Sequence, residues 1–142
     1  MPYSNSSKIL YPLLVALIIT TSSCLSTMPK SECKKYKTGK YEYRSKDPKN
    51  PFVIRIFRND SIQTEISRNS GDTAILKVTW LDECTYKLTF IDVKNSMQGV
   101  KKMFDKKNEI TTTIVDGTNE YYIYRSKYSL TNNIITDTMW AM

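Results

Sequence analysis

"AILKVTWLDECTYKLTFI", residues 74–91, is the stretch whose reading decides the fold. Leu76, Val78 and Trp80 alternate with Ile75, Lys77 and Thr79. After the polar turn Leu81-Asp82-Glu83, the alternation resumes with Cys84, Tyr86, Leu88 and Phe90 on one face. Side chains of a strand point to opposite faces in turn, so alternation that stops at a turn and starts again reads as two antiparallel strands.

Outward from this hairpin the same period continues in both directions. Upstream, "TGKYEYRS" (38–45) sets Tyr41 and Tyr43 against Lys40, Glu42 and Arg44. "FVIRIFRN" and "SIQTEISR" flank the turn pair Asn59 and Asp60, residues that tolerate positive φ, and "NSGD" (69–72) makes the next turn. Downstream, "NEITTTIVD" leads through Asp116 and Gly117 to "NEYYIYRSK", and "NIITDTMWAM" is apolar enough to close the set. About eight strands joined by short turns predict an all-β antiparallel meander that folds into a small barrel or a half-open barrel. Only full closure leaves no sheet edge. The period breaks in "VKNSMQGVKKMFDKK" (93–107), where Met97, Val100 and Phe104 fall at helical spacing around Gly99. A short helix or a loop near 95–107 fits equally well.

The first residues are of another kind. Lys8 is the sole charge before Lys30, and Ile9 to Thr20 is an apolar run interrupted by Pro12. A spanning helix needs about 20 apolar residues, and this run is shorter. A basic start, a short apolar core and small residues (Thr21, Ser22, Ser23) form the pattern of an export signal. The next residue, Cys24, completes a resemblance to the lipobox of bacterial lipoproteins. That resemblance implies cleavage before Cys24, a diacylglyceryl thioether on its sulfur and an acylated amino terminus, with chains such as palmitate. Several acyl chains make a stable anchor where one gives marginal binding. The expected division is a signal peptide over residues 1–23, a lipidated tether over 24–36 and one β-domain over 37–142.

Three cysteines are an awkward number for an exported chain. Lipidation of Cys24 leaves Cys33 and Cys84, which are either two separate buried thiols or a disulfide, and an oxidising compartment favours the disulfide.

The chain has no histidine, so Ser-His and Cys-His nucleophile pairs and imidazole metal ligands are excluded. Its four glycines stand apart and form no phosphate-binding loop. The carboxylate pairs Asp82 with Glu83, Asp105 with Glu109, and Asp116 with Glu120 sit in turns or loops, where solvation is their ordinary state. No catalytic residue, metal site or cofactor is expected. Without Lys8, 20 of the 21 Lys and Arg remain against 14 Asp and Glu. Lys34, Lys35, Lys37 and Lys40 lie beside the tether, where each could attract anionic head groups. An exported address argues against nucleic acid as the partner of this basic balance.

The aromatics on the strands either fill the barrel or surround a cavity for one apolar ligand. A filled core is the commoner outcome. If a cavity forms, Tyr41, Tyr43, Trp80, Tyr86, Phe90, Tyr122 and Tyr124 are expected to line it. Buried tyrosines need partners for their hydroxyls, which suits an interior that is partly wet or near an opening.

"KTGKYEY" (37–43), "FRNDSIQTE" (57–65) and "TWLDECTYKLTF" (79–90) together resemble a group of short lipoproteins of the Bacteroidetes, over most of residues 33–125. Gly39 stands at that group's strand entry, Gln63 and Glu65 in its second hairpin and Cys84 at its strand cysteine. Some of that group carry a DNA topoisomerase label, which a short domain without a nucleotide-binding loop does not support. The Gly-x-aromatic opening of "TGKYEY" is also similar to the start of lipocalins. The resemblance implies an envelope protein anchored through Cys24 in the outer membrane and facing the periplasm. The resemblance brings no known chemistry; from the residues themselves, the expectation is a non-catalytic domain that binds a small apolar ligand, an envelope component or a partner protein. The alternatives are an envelope enzyme built on carboxylates and tyrosines, or an inhibitor or immunity factor acting through the 94–107 loop.

Overall fold

The computed structural model describes residues 29–94 and 108–142. The export signal, Cys24 and the 95–107 connection lie outside the described residues. The chain enters through a 3-10 helix, Lys30–Tyr36, and continues as eight strands: β1 (Gly39–Arg44), β2 (Val53–Arg58), β3 (Ile62–Ser67), β4 (Thr73–Trp80), β5 (Thr85–Lys94), β6 (Glu109–Gly117), β7 (Tyr121–Tyr128) and β8 (Ile134–Ala141). Each strand pairs antiparallel with the next, and β8 returns to β1, so the sheet closes into a barrel in strict sequence order. The meander expected from period two is therefore a closed barrel.

Alternation carries over directly into burial. In β4, Ala74, Leu76 and Val78 are buried while Lys77 and Thr79 are exposed. Tyr86 and Leu88 of β5 and Ile114 of β6 join the same core, together with Tyr41, Ile56, Tyr122 and Met139. Two bulges interrupt the ladder. One lies between Ile75 and Leu76, opposite Asp92 and Phe90, and leaves Ile91 as the extra residue on β5. The other lies between Ile114 and Asp116. Such insertions bend a strand and increase its twist, which helps a short sheet close.

The turns form as their residues dictate. Asn59 accepts hydrogen bonds on Oδ1 from the N–H groups of Ser61 (3.0 Å) and Ile62 (2.8 Å). Asp82 does the same for Cys84 (2.8 Å) and Thr85 (2.7 Å), and these bonds hold its carboxyl below the usual carboxylate range. Gly39 and Gly117 are required by what packs on them. A Cβ on Gly39, whose φ is +150°, would come within 2.7 Å of the Tyr41 hydroxyl, and one on Gly117 would collide with the Tyr36 hydroxyl.

The 3-10 helix crosses the end of the barrel at which β1 begins. It occupies the last part of the stretch read from sequence as tether, because Cys33 and Tyr36 are both buried there. Tyr36 donates its hydroxyl to the Thr118 carbonyl (2.7 Å). Cys33 is bonded to Cys84, with the two Cα atoms 5.1 Å apart and a sequence separation of 51 positions. A loop of this length corresponds to about 4 kcal/mol of stabilisation by the chain-entropy argument.

Candidate functional site

The inside of the barrel is filled at one end and hollow at the other. The filled end is built around Arg58, the last residue of β2, which is only 4% exposed. Its Nε donates to Gln63 Oε1 (2.6 Å), Nη1 to the Tyr36 carbonyl (3.3 Å), and Nη2 to the hydroxyls of Tyr86 (2.8 Å) and Tyr122 (2.9 Å). Its guanidinium carbon also lies 4.4 Å from the ring centre of Tyr86, 5.4 Å from Tyr41 and 5.8 Å from Tyr122. No carboxylate touches it among the described residues. A planar cation with five donors can spread its charge over hydrogen bonds and ring faces in this way. Burial opposes the charge, but the facing phenols of Tyr122 and Tyr86 outweigh it, so the guanidinium stays protonated. Tyr41 donates to the carbonyls of Tyr36 (3.1 Å) and Thr38 (2.9 Å), and burial pushes its pKa up to about 12.

Above this floor lies a cavity of about 490 Å3, within the roughly 300–1,000 Å3 usual for small-molecule sites. Ile54, Ile56, Leu76, Leu88, Phe90, Ile110 and Met139 give it apolar walls, and Tyr43, Tyr86, Tyr124 and Tyr128 add aromatic ones. Thr112 and Ser126 face it as a hydroxyl pair 2.7 Å apart, one donating to the other. Ile135, 44% exposed, stands at the open rim.

Among the described residues one carboxylate lines the cavity, Glu65. Gln63 joins it to the floor, with its oxygen accepting from Arg58 and its Nε2 donating to Glu65 Oε1 (2.6 Å). Glu65 is half-buried by area, and it lines both the cavity and an adjoining recess of about 190 Å3 towards the β3–β4 turn. The area it retains therefore faces the interior. Its pKa is raised by burial, with the Gln63 hydrogen bond and the Arg58 charge acting in the opposite sense. Burial likewise raises Tyr124, helped by the charge of Asp137.

Of the residues expected to line a cavity, Tyr43, Tyr86, Phe90 and Tyr124 do so. Tyr41 and Tyr122 pack in the floor, 5.3 Å apart edge to face. Trp80 lies at the filled end between the Tyr86 ring (4.8 Å) and the Lys37 ammonium (5.0 Å). None of the three borders the hollow half. No protein-family model, curated protein or solved structure matches the chain.

The carboxylates singled out from sequence stay apart from the cavity. Asp82 caps its own turn, Glu83 pairs with Lys37 (3.4 Å) and Glu109 with Lys87 (2.9 Å). Asp116 accepts from the Gly117 N–H (2.8 Å), Glu120 is exposed, and Asp105 lies outside the described residues. Sequence reasoning passed over the residues that carry the interior polarity, Arg58, Gln63 and Glu65. Their trace in the sequence is positional: Ile54, Ile56 and Arg58 share one face of β2, and Gln63 and Glu65 share the paired face of β3.

Proposed function

We propose that the chain is a membrane-anchored envelope lipoprotein whose barrel holds one small, mostly apolar ligand without transforming it. The observation that carries this reading is the hollow upper half of the barrel, enclosed by aliphatic and aromatic side chains with a few convergent polar groups. The lipobox-like "TTSSC" ending at Cys24 and the resemblance to Bacteroidetes lipoproteins supply the anchor and the envelope address. A single lining carboxylate among the described residues favours holding a ligand over glycosidase-type chemistry, which requires two carboxyls facing across a cleft.

The test uses the full-length chain with Cys24→Ser, which cannot be lipidated. The neutral fluorophore N-phenyl-1-naphthylamine should be taken up at one molecule per chain, with a blue-shifted emission. Leu88→Trp, which fills the middle of the cavity, should abolish this uptake while leaving the far-ultraviolet circular dichroism unchanged. Equal uptake by both proteins, or none by either, overturns the reading. The intact mass of the membrane-extracted native chain separately checks acylation at Cys24.

A further inference from the structure

The ligand's chemical class follows from the charges inside the cavity, on the premise that the cavity is a ligand site. We propose that the barrel binds an amphipathic amine, with its apolar body against the aliphatic walls and its protonated nitrogen on Glu65.

Glu65 offers the vacant valence. Its Oε1 is taken by Gln63 at 2.6 Å, and its Oε2 has no hydrogen-bond or ion-pair partner among the described residues. Half-buried Glu65 meets the cavity with that oxygen unpaired, and an ammonium N–H would complete it with a charge-assisted bond.

An anionic ligand has no comparable seat. Among the described residues, no Lys or Arg lines the cavity. Arg58 is turned away, with its donors committed to Gln63, Tyr36, Tyr86 and Tyr122. The Tyr43 hydroxyl is committed to Asp137 (3.3 Å), a buried carboxylate that is neutralised by Lys46 at 2.7 Å. A cation, by contrast, shares the same space with the aromatic rings of Tyr43, Tyr124 and Tyr128. The chain's net charge of +7 gives a cation no long-range attraction, so selection rests on these interior groups.

The relay below also fits. With Arg58 charged and Glu65 ionised, the Arg58–Gln63–Glu65 row is neutral, and the amide passes the guanidinium's field to the carboxylate. An incoming ammonium then sits at the negative end of that row, separated from Arg58 by the full length of Gln63.

Titration calorimetry at pH 7 on the Cys24→Ser chain, with octylamine, octan-1-ol and octanoate, separates the possibilities, since the three share one tail. Octylamine should bind at least about tenfold more tightly than octan-1-ol, as expected for a hydrogen bond to a charged group, and octanoate should be weakest. Glu65→Gln should remove the amine's advantage and leave octan-1-ol within about twofold of its original affinity, the cavity's shape being unchanged. Equal affinities, a preference for octanoate, or an amine preference that persists in Glu65→Gln each overturn the inference and leave the cavity reading standing. Failure of octylamine to bind overturns it too. If N-phenyl-1-naphthylamine also stays out, the cavity reading falls with it.

Discussion

Arg58 is a buried cation with no carboxylate beside it among the described residues, and the closed end of the barrel is organised to satisfy it. Replacing it with Met keeps the length and apolar stem but strips partners from Gln63, Tyr36, Tyr86 and Tyr122 at once. Each hydrogen bond to a charged group contributes roughly 1.5–3 kcal/mol, so Arg58→Met should lower the unfolding free energy by about 3 kcal/mol or more in urea titration. An unchanged midpoint would mean that the desolvation cost of the guanidinium cancels its bonds, as happens for some buried charges. The sequence places Arg58, Gln63 and Glu65 on inward positions once the strands are drawn. It cannot show that Gln63 bridges the other two, because that depends on β2 and β3 pairing Arg58 with Gln63 and Ile56 with Glu65. Aromatic identity was a weaker guide: Tyr41 and Tyr122 point inward like Tyr43 and Tyr124, but one step further down, where the barrel is full.

The strands were legible because alternation is a local property that survives folding. The closing seam was not, since β1 and β8 are nearly a whole chain apart and only their backbones record the pairing. That seam is the shortest ladder in the barrel, Tyr41 with Ala141 and Glu42 with Trp140, against eight register pairs between β4 and β5. Beyond it, side chains take over: Arg44 lies 5.5 Å from the Trp140 ring, and Asp137 on β8 receives Tyr43 and Lys46 from the β1 side. Amide hydrogen exchange followed by mass spectrometry should therefore report the fastest opening of any strand pair at β1 and β8. Asp137→Asn should speed exchange there without touching β4 and β5. Uniform protection around the ring would contradict this account. The bulges at Ile91 and beyond Ile114 were equally hidden, because one inserted residue shifts the phase only near a strand's end, as where Leu88 and then Val93 are buried in β5.

At the scale of the whole molecule, burial of ionisable groups sets how stability follows pH. Glu65 has a raised pKa in the fold, so its contribution is fully present below its ordinary value of 4.5 and is lost as pH rises through the folded value. Tyr41, Tyr86 and Tyr124 are raised by the same burial, so their contribution is intact below pH 10 and is lost above it as Tyr41 approaches about 12. Urea midpoints measured from pH 4 to 11 should fall twice, first above 4.5 as Glu65 ionises and again above 10. Glu65→Gln should erase the first fall, raising the midpoint at pH 7 and leaving it unchanged at pH 4. Coincident profiles from pH 4 to 8 would show that the carboxylate is as well solvated folded as unfolded.

In the ring of eight strands, the β4–β5 pair stands opposite the short β8–β1 seam, and the Cys33–Cys84 bridge fastens the entering segment beside that far pair. Tension applied at the N-terminal end would otherwise peel β1 from its two-residue ladder. With the sulfurs joined, the load passes across the barrel floor into its longest ladder. A protein held by one end in a moving surface would keep its weakest joint out of the line of pull.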